Sequence, residues 1–142
     1  MAGTVTWTYP SVKESGDRFL DDLALFLEPL GLEQHQFHYL TLSLSEAFTN
    51  ALVHGNKLDE TKLVTVRLTV NDLEISADII DQGRGGLEAV RTRPRPELLA
   101  ESGRGVDFME RYCASVEFME DADGGLTVRL RVPRRHEKKR VQ

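Results

Sequence analysis

The stretch "VTVRLTVNDLEISADIID", Val64 to Asp81, alternates apolar and polar residues on both sides of a two-residue turn signal. Val64, Val66, Leu68 and Val70 fall on one side of a period-two pattern, with Thr65, Arg67 and Thr69 on the other. Successive side chains of an extended chain point to opposite faces, so this is a half-buried strand. Asn71–Asp72 reads as a tight turn, after which Leu73, Ile75, Ala77 and Ile79 resume the same inward parity. A hairpin with one apolar face requires a second layer to cover it. Asp81 continues the inward parity, which aims a carboxylate at that layer. A buried carboxylate needs a donor, and a ligand amino group would serve. The plainer alternative is a strand-terminating turn, in which Asp and Gly are common.

The covering layer lies upstream. "SVKES" offers Ser11 as a helix N-cap with Glu14 at capping-box spacing. Phe19, Leu23, Phe26, Leu27 and Leu30 then recur at helical intervals, and Gly31 is the stop. A second helix is expected from about Glu33 to Val53, with the stripe Phe37, Leu40, Leu44, Ala47, Phe48 and Ala51. Downstream, periodicity dissolves between Gly83 and Gly105, which predicts a long loop with a short helix around Glu97–Ala100. A helix from Gly105 to Cys113 should follow, then strands near Ser115–Met119 and Leu126–Val132 joined by "DADGG". Helices, hairpin, loop, helix, hairpin is the order of an α+β two-layer sandwich, an antiparallel sheet with helices on one face. Thr65, Arg67, Thr69, Glu74, Ser76, Thr127 and Arg129 would form the other face, polar but mild enough to meet a partner. We expect one domain over residues 1–132 and a basic, flexible tail over 133–142.

Composition agrees with a packed domain: 40% of the 142 residues are hydrophobic and 29% charged. The formal net charge is −5. Arg134, Arg135, Lys138, Lys139 and Arg140 oppose one acid, Glu137, in the tail, so the body is more acidic than the total. An acidic body argues against direct nucleic-acid binding. The single cysteine, Cys113, excludes an intrachain disulfide and suits a reducing cytoplasm. "MAGTVTWTYP" lacks the basic and apolar regions of a signal peptide, and no apolar run reaches membrane-spanning length.

Three stretches carry chemistry. "SEAFTNALVHGN", Ser45 to Asn56, sets Glu46, Asn50 and His54 at intervals of four, a stripe at the margin of the apolar face. There a carboxylate can act as a base and an amide oxygen can bind a hard cation. A merely solvated helix edge would look the same. "DIIDQGRGG" follows Asp81 with Gly83 and Gly85, which allow close approach or positive φ. "SGRGVDFM" opens a helix with Gly103, Arg104 and Gly105, where free N–H groups favour an anion. Each is weak by itself, and the conjunction in this order is specific.

In that order, "E-x-x-x-N-x-x-x-H-G", "D-x-G-x-G" and "G-R-G" resemble the N, G1 and G2 boxes of the GHKL ATPase superfamily. The chain looks most like the small stand-alone bacterial anti-sigma-factor serine kinases, over nearly its whole length. The resemblance implies the Bergerat fold, with an antiparallel-rich mixed sheet, and binding of ATP with Mg²⁺. It implies Glu46 as general base and Asn50 as Mg²⁺ ligand. Asp81 would accept from the adenine amino group, and Gly83 and Gly85 would shape the pocket. Gly103, Arg104 and Gly105 would lie on the phosphates, beneath a lid from Gly86 to Ser102 that orders with nucleotide. Partners would be a sigma factor or a STAS-type anti-anti-sigma protein phosphorylated on serine. A homodimer through the outer sheet face is also implied. One departure stands out: the family often has Gly-Thr before its last strand, where this chain has Gly125–Leu126. Two other readings compete, a non-catalytic ATP/ADP-sensing module and the catalytic domain of a histidine-kinase-like system. The chain has no P-loop motif, and His35 and His38 lack a third metal ligand nearby.

Overall fold

The computed structural model describes residues 2–92 and 115–134. Five strands, β1 (Gly3–Pro10), β2 (Leu63–Val70), β3 (Glu74–Ile80), β4 (Ser115–Glu120) and β5 (Leu126–Pro133), form one sheet in the order β1-β2-β3-β5-β4. Every pairing among the described residues is antiparallel, so over those residues the sheet is antiparallel throughout, not mixed. Helices α1 (Glu14–Leu27), α2 (Gln34–Thr49) and the shorter α3 (Gly86–Thr92), together with a 3₁₀ turn at Glu28–Leu30 and a π turn at Asn50–Gly55, complete the described elements. Among the described residues no helix is long and apolar enough to cross a membrane.

The expected hairpin is present, with Val66 opposite Ile79 and Leu68 opposite Ala77. Its inward row, Val64, Val66, Leu68, Ile75, Ala77 and Ile79, is at most 1% exposed. Leu73 departs from it: it sits in the turn and is 81% exposed. The Asn71 carboxamide oxygen accepts from the backbone N–H groups of both Leu73 and Glu74, which closes the turn and carries Leu73 outwards.

β1 was not anticipated. It pairs with β2 along its full length, from Gly3 opposite Val70 to Pro10 opposite Leu63. Its inward residues complete the core: Tyr9 meets Phe48 edge-on at 5.4 Å, and Phe19 stacks on Phe48 at 4.4 Å. The Tyr9 hydroxyl donates to Asp22 at 2.6 Å, and its pKa is raised by burial and by that acceptor.

The strand also explains why Ser11 is not a helix cap. Both its backbone N–H and its hydroxyl donate to the Lys62 carbonyl, tying the end of β1 to the start of β2. α1 begins only at Glu14, without a side-chain cap. Gly31 does stop the helical run, after a 3₁₀ turn at Glu28–Leu30, in the left-handed conformation at φ 63°.

Two further boundaries differ from expectation. The loop expected from Gly83 is helical over Gly86–Thr92, a stretch too short for periodicity to reveal. Residues 133 and 134, expected in the tail, are held at the end of the sheet. Pro133 pairs with Glu74, and Arg134 reaches the carbonyls of Asn71 and Leu30 with its guanidinium. The helices expected at Glu97–Ala100 and Gly105–Cys113, Cys113 itself and the rest of the tail lie outside the described residues.

Candidate functional site

α2 packs Leu40, Leu44, Ala47 and Phe48 on the sheet, as its apolar spacing requires. It does not continue as an α-helix to Val53. From Asn50 to Gly55 the chain takes a π turn, with the Asn56 N–H donating to the Ala51 carbonyl. The wider turn breaks the interval of four between Asn50 and His54. π turns leave no clear residue signature, yet Asn50 and His54 of that stripe both still line the cavity described below.

The π turn ends against the end of β3. A Cβ added at Gly55 would lie 2.1 Å from the Asp81 Oδ2, and one at Gly83 would lie 2.3 Å from the Gly55 carbonyl oxygen. Gly83 therefore lets two backbones meet, and Gly55 makes room for the Asp81 carboxylate. Gly83 was expected to serve a ligand, and the structure gives it this packing role as well as a place on the cavity wall. Gly85 takes positive φ, at 69°, as expected of one glycine in this turn.

Asn56 locks the joint and was not singled out from sequence. It is 1% exposed, and its amide donates to the Ser11 hydroxyl at 2.9 Å and the Leu63 carbonyl at 3.0 Å. Its carboxamide oxygen accepts from the Gln82 N–H at 2.7 Å. One buried side chain thereby joins the π turn, β2 and the end of β3. The available signal was an asparagine directly after a glycine at a helix end.

Asp81 sits where parity put it, 4% exposed. Its Oδ1 accepts from the backbone N–H groups of Gly83 at 2.9 Å and Leu126 at 3.0 Å. No donor among the described residues reaches Oδ2. Burial raises the pKa of this carboxyl, while the two backbone N–H groups oppose the shift. Leu126, at the position that departs from the Gly-Thr pattern, thus supplies a backbone donor and lines the cavity with its side chain.

The cavity above Asp81 has a volume of about 230 Å³. Ala51, Ile79, Val90, Phe118 and Val128 give it apolar walls, and Asn50, His54, Lys57 and Arg84 add polar groups. The arrangement suits a flat ring system with an amino edge: apolar walls for the faces, a carboxylate for the donor. Of the expected site residues, Asn50, Asp81, Gly83 and Gly85 come together here. Glu46 lies one helical turn before Asn50, half-buried, and is not among the lining residues. Gly103, Arg104 and Gly105 lie outside the described residues.

The model of the histidine kinase-like ATPase domain family matches residues 11–132. An anti-sigma F factor of Clostridium perfringens is 36% identical over 91 residues, covering 61% of this chain and 64% of that relative. The chain therefore spans less than two thirds of that protein's length. An anti-sigma F factor of Shouchella clausii is 26% identical over 133 residues, 90% of each chain. Among solved structures, the RsbU and RsbW domains of a Mycobacterium tuberculosis protein superpose with a TM-score of 0.64 at 17% identity. That match covers 96% of this chain and 35% of the other. SiaB–SiaC from Pseudomonas aeruginosa gives 0.60 at 17%, over 91% and 89%. At these identities the structures bear on fold alone.

Proposed function

The chain belongs to the histidine kinase-like ATPase family, and from that premise we propose that it is an ATP-dependent serine kinase of the anti-sigma-factor type. It binds a sigma factor or a STAS-type anti-anti-sigma protein and phosphorylates a serine of the latter. The observation that carries the reading is Asp81: a buried carboxylate with one oxygen fixed by two backbone donors and the other without a protein donor, on the wall of an apolar cavity. The adenine amino group is the complement of that oxygen. The relatives named anti-sigma F factor support the partner class.

Mg²⁺ fits the residues present. Among the described residues no group of three or more His, Cys, Asp or Glu side chains could hold a metal by itself. A hard cation held mainly by phosphates and water needs only one or two protein oxygens, and the Asn50 amide oxygen is the one at the cavity. When bound, the ion would neutralise phosphate charge. Glu46 is assigned the proton of the attacking serine hydroxyl. Gly83 and Gly85 shape the pocket, and Gly103, Arg104 and Gly105 are assigned to the phosphates.

One observation favours a second reading. Glu46 is not among the cavity-lining residues, as suits a module that senses ATP or ADP without transferring phosphate. Incubation with labelled ATP, Mg²⁺ and candidate STAS proteins separates the two. Wild type should label its partner, and Glu46→Gln should bind ATP within a few-fold while transfer falls by roughly 10²–10⁴. Equal transfer by both proteins would remove Glu46 from the mechanism. ATP binding with no transfer to any partner would favour the sensor.

A further inference from the structure

Two consecutive residues beside the cavity hold a backbone conformation that side chains rarely adopt. Lys57 has φ 54° and Leu58 has φ 55°. Left-handed residues other than glycine, asparagine and aspartate are strained, and strain of this kind persists only where the surroundings over-determine it. They do so here. Asn56, directly before, is held by its three side-chain hydrogen bonds, and the Leu58 N–H donates to the Leu52 carbonyl at 2.9 Å. The Asp59 N–H donates to the Asn56 carbonyl at 3.0 Å, which closes the turn.

This strained turn puts a lysine on the cavity wall. The charges around the cavity are ordered. Among the described lining residues Asp81 is the one acid and is buried, whereas Lys57, Arg84 and His54 are exposed at the rim. A ligand with an amino-bearing ring at one end and negative charge at the other matches that order in only one direction. We propose that Lys57 is a further nucleotide-binding residue, its ammonium group taking the phosphate chain of a nucleotide whose base lies against Asp81. Glycine at this position would relieve the backbone and lose the cation. The inference rests on the nucleotide-site reading above.

The test compares Lys57→Gly, Lys57→Met and Leu58→Gly with wild type in the full chain, by calorimetric titration with ATP and with adenosine, each with Mg²⁺. Both glycine variants should melt at higher temperature than wild type, because each removes a left-handed side-chain residue. Lys57→Gly and Lys57→Met should weaken ATP by about three- to ten-fold, the range for an exposed charge-assisted contact. Both should leave adenosine within about two-fold, the spread of a contact not made. Leu58→Gly should bind both ligands as wild type does, and added salt should narrow the ATP gap. Unchanged ATP affinity in the two Lys57 variants, or equal losses of ATP and adenosine, would overturn the assignment while the nucleotide site stands. A wild type that binds neither ligand would overturn the site and this inference together.

Discussion

At Asp81 folding and binding pull in opposite directions. Its carboxyl pKa is raised by burial, so the folded state holds the proton more tightly than the unfolded chain does. The sign follows: the group's favourable contribution is complete below the ordinary carboxylate pKa and is lost as pH rises through the raised one. Asp81→Asn keeps an oxygen for the Gly83 and Leu126 N–H groups and removes the charge. The ligand-free variant should therefore be more stable than wild type at neutral pH, by about 0.5–2 kcal/mol. That advantage should shrink as pH falls towards 4, which thermal melts across the range would read. ATP affinity should fall about ten- to a hundred-fold, the equivalent of roughly 1.5–3 kcal/mol for a hydrogen bond to a charged group. A variant that binds ATP like wild type, or a wild type for which GTP competes equally, would remove the adenine contact from Asp81.

Among the elements, legibility followed the strength of each local pattern. β2, β3 and the apolar stripes of α1 and α2 were readable because every second or every third-to-fourth residue reports the buried face. β1 carries the same alternation in Val5, Trp7 and Tyr9, but a short terminal strand is fixed by a partner some sixty residues away, not by its own sequence. The π turn was unreadable for a related reason: it ends in a close approach between Gly55 and Gly83, which is a tertiary fact. Parity found Asp81, Asn50 followed from helical spacing, and Gly85 from its turn. Asn56 was hidden because two of its three partners, Ser11 and Gln82, come from distant segments. Asn56→Ala should cost roughly 2–4 kcal/mol, since it strands the part-buried Gln82 N–H and leaves two acceptors short. Urea unfolding would measure this, and a loss below about 1 kcal/mol would mean that water replaces the amide.

For the whole molecule, the sheet face away from the helices is the surface left to explain. Its central row runs Thr6, Arg67, Asp78, Arg129 and Glu117 across all five strands. Asp78 and Arg129 neutralise each other through a two-bond pair at 2.7 and 2.9 Å, and the flanking rows are largely threonine and serine. Glu117 pairs with Arg131 at 4.0 Å, so within this row a covering surface has one charge to match, Arg67. We therefore expect it to join two copies of the chain. Light scattering at tens of micromolar should give about twice 16.0 kDa, and a monomer would rule the pairing out.

The hydrogen bond from Leu126 to Asp81 spans 45 positions of the chain. A ribosome makes the π turn bearing Asn50, the carboxylate and both glycines of the joint well before it reaches that donor. During synthesis the binding wall is thus incomplete until β5 has emerged and docked beside β3. A transcript broken upstream of residue 126 yields a protein with most of the recognisable motifs and an unfinished site. Nucleotide in the cell would be a poor rescuer of such fragments, and would act as a stabiliser only of chains translated to the final strand.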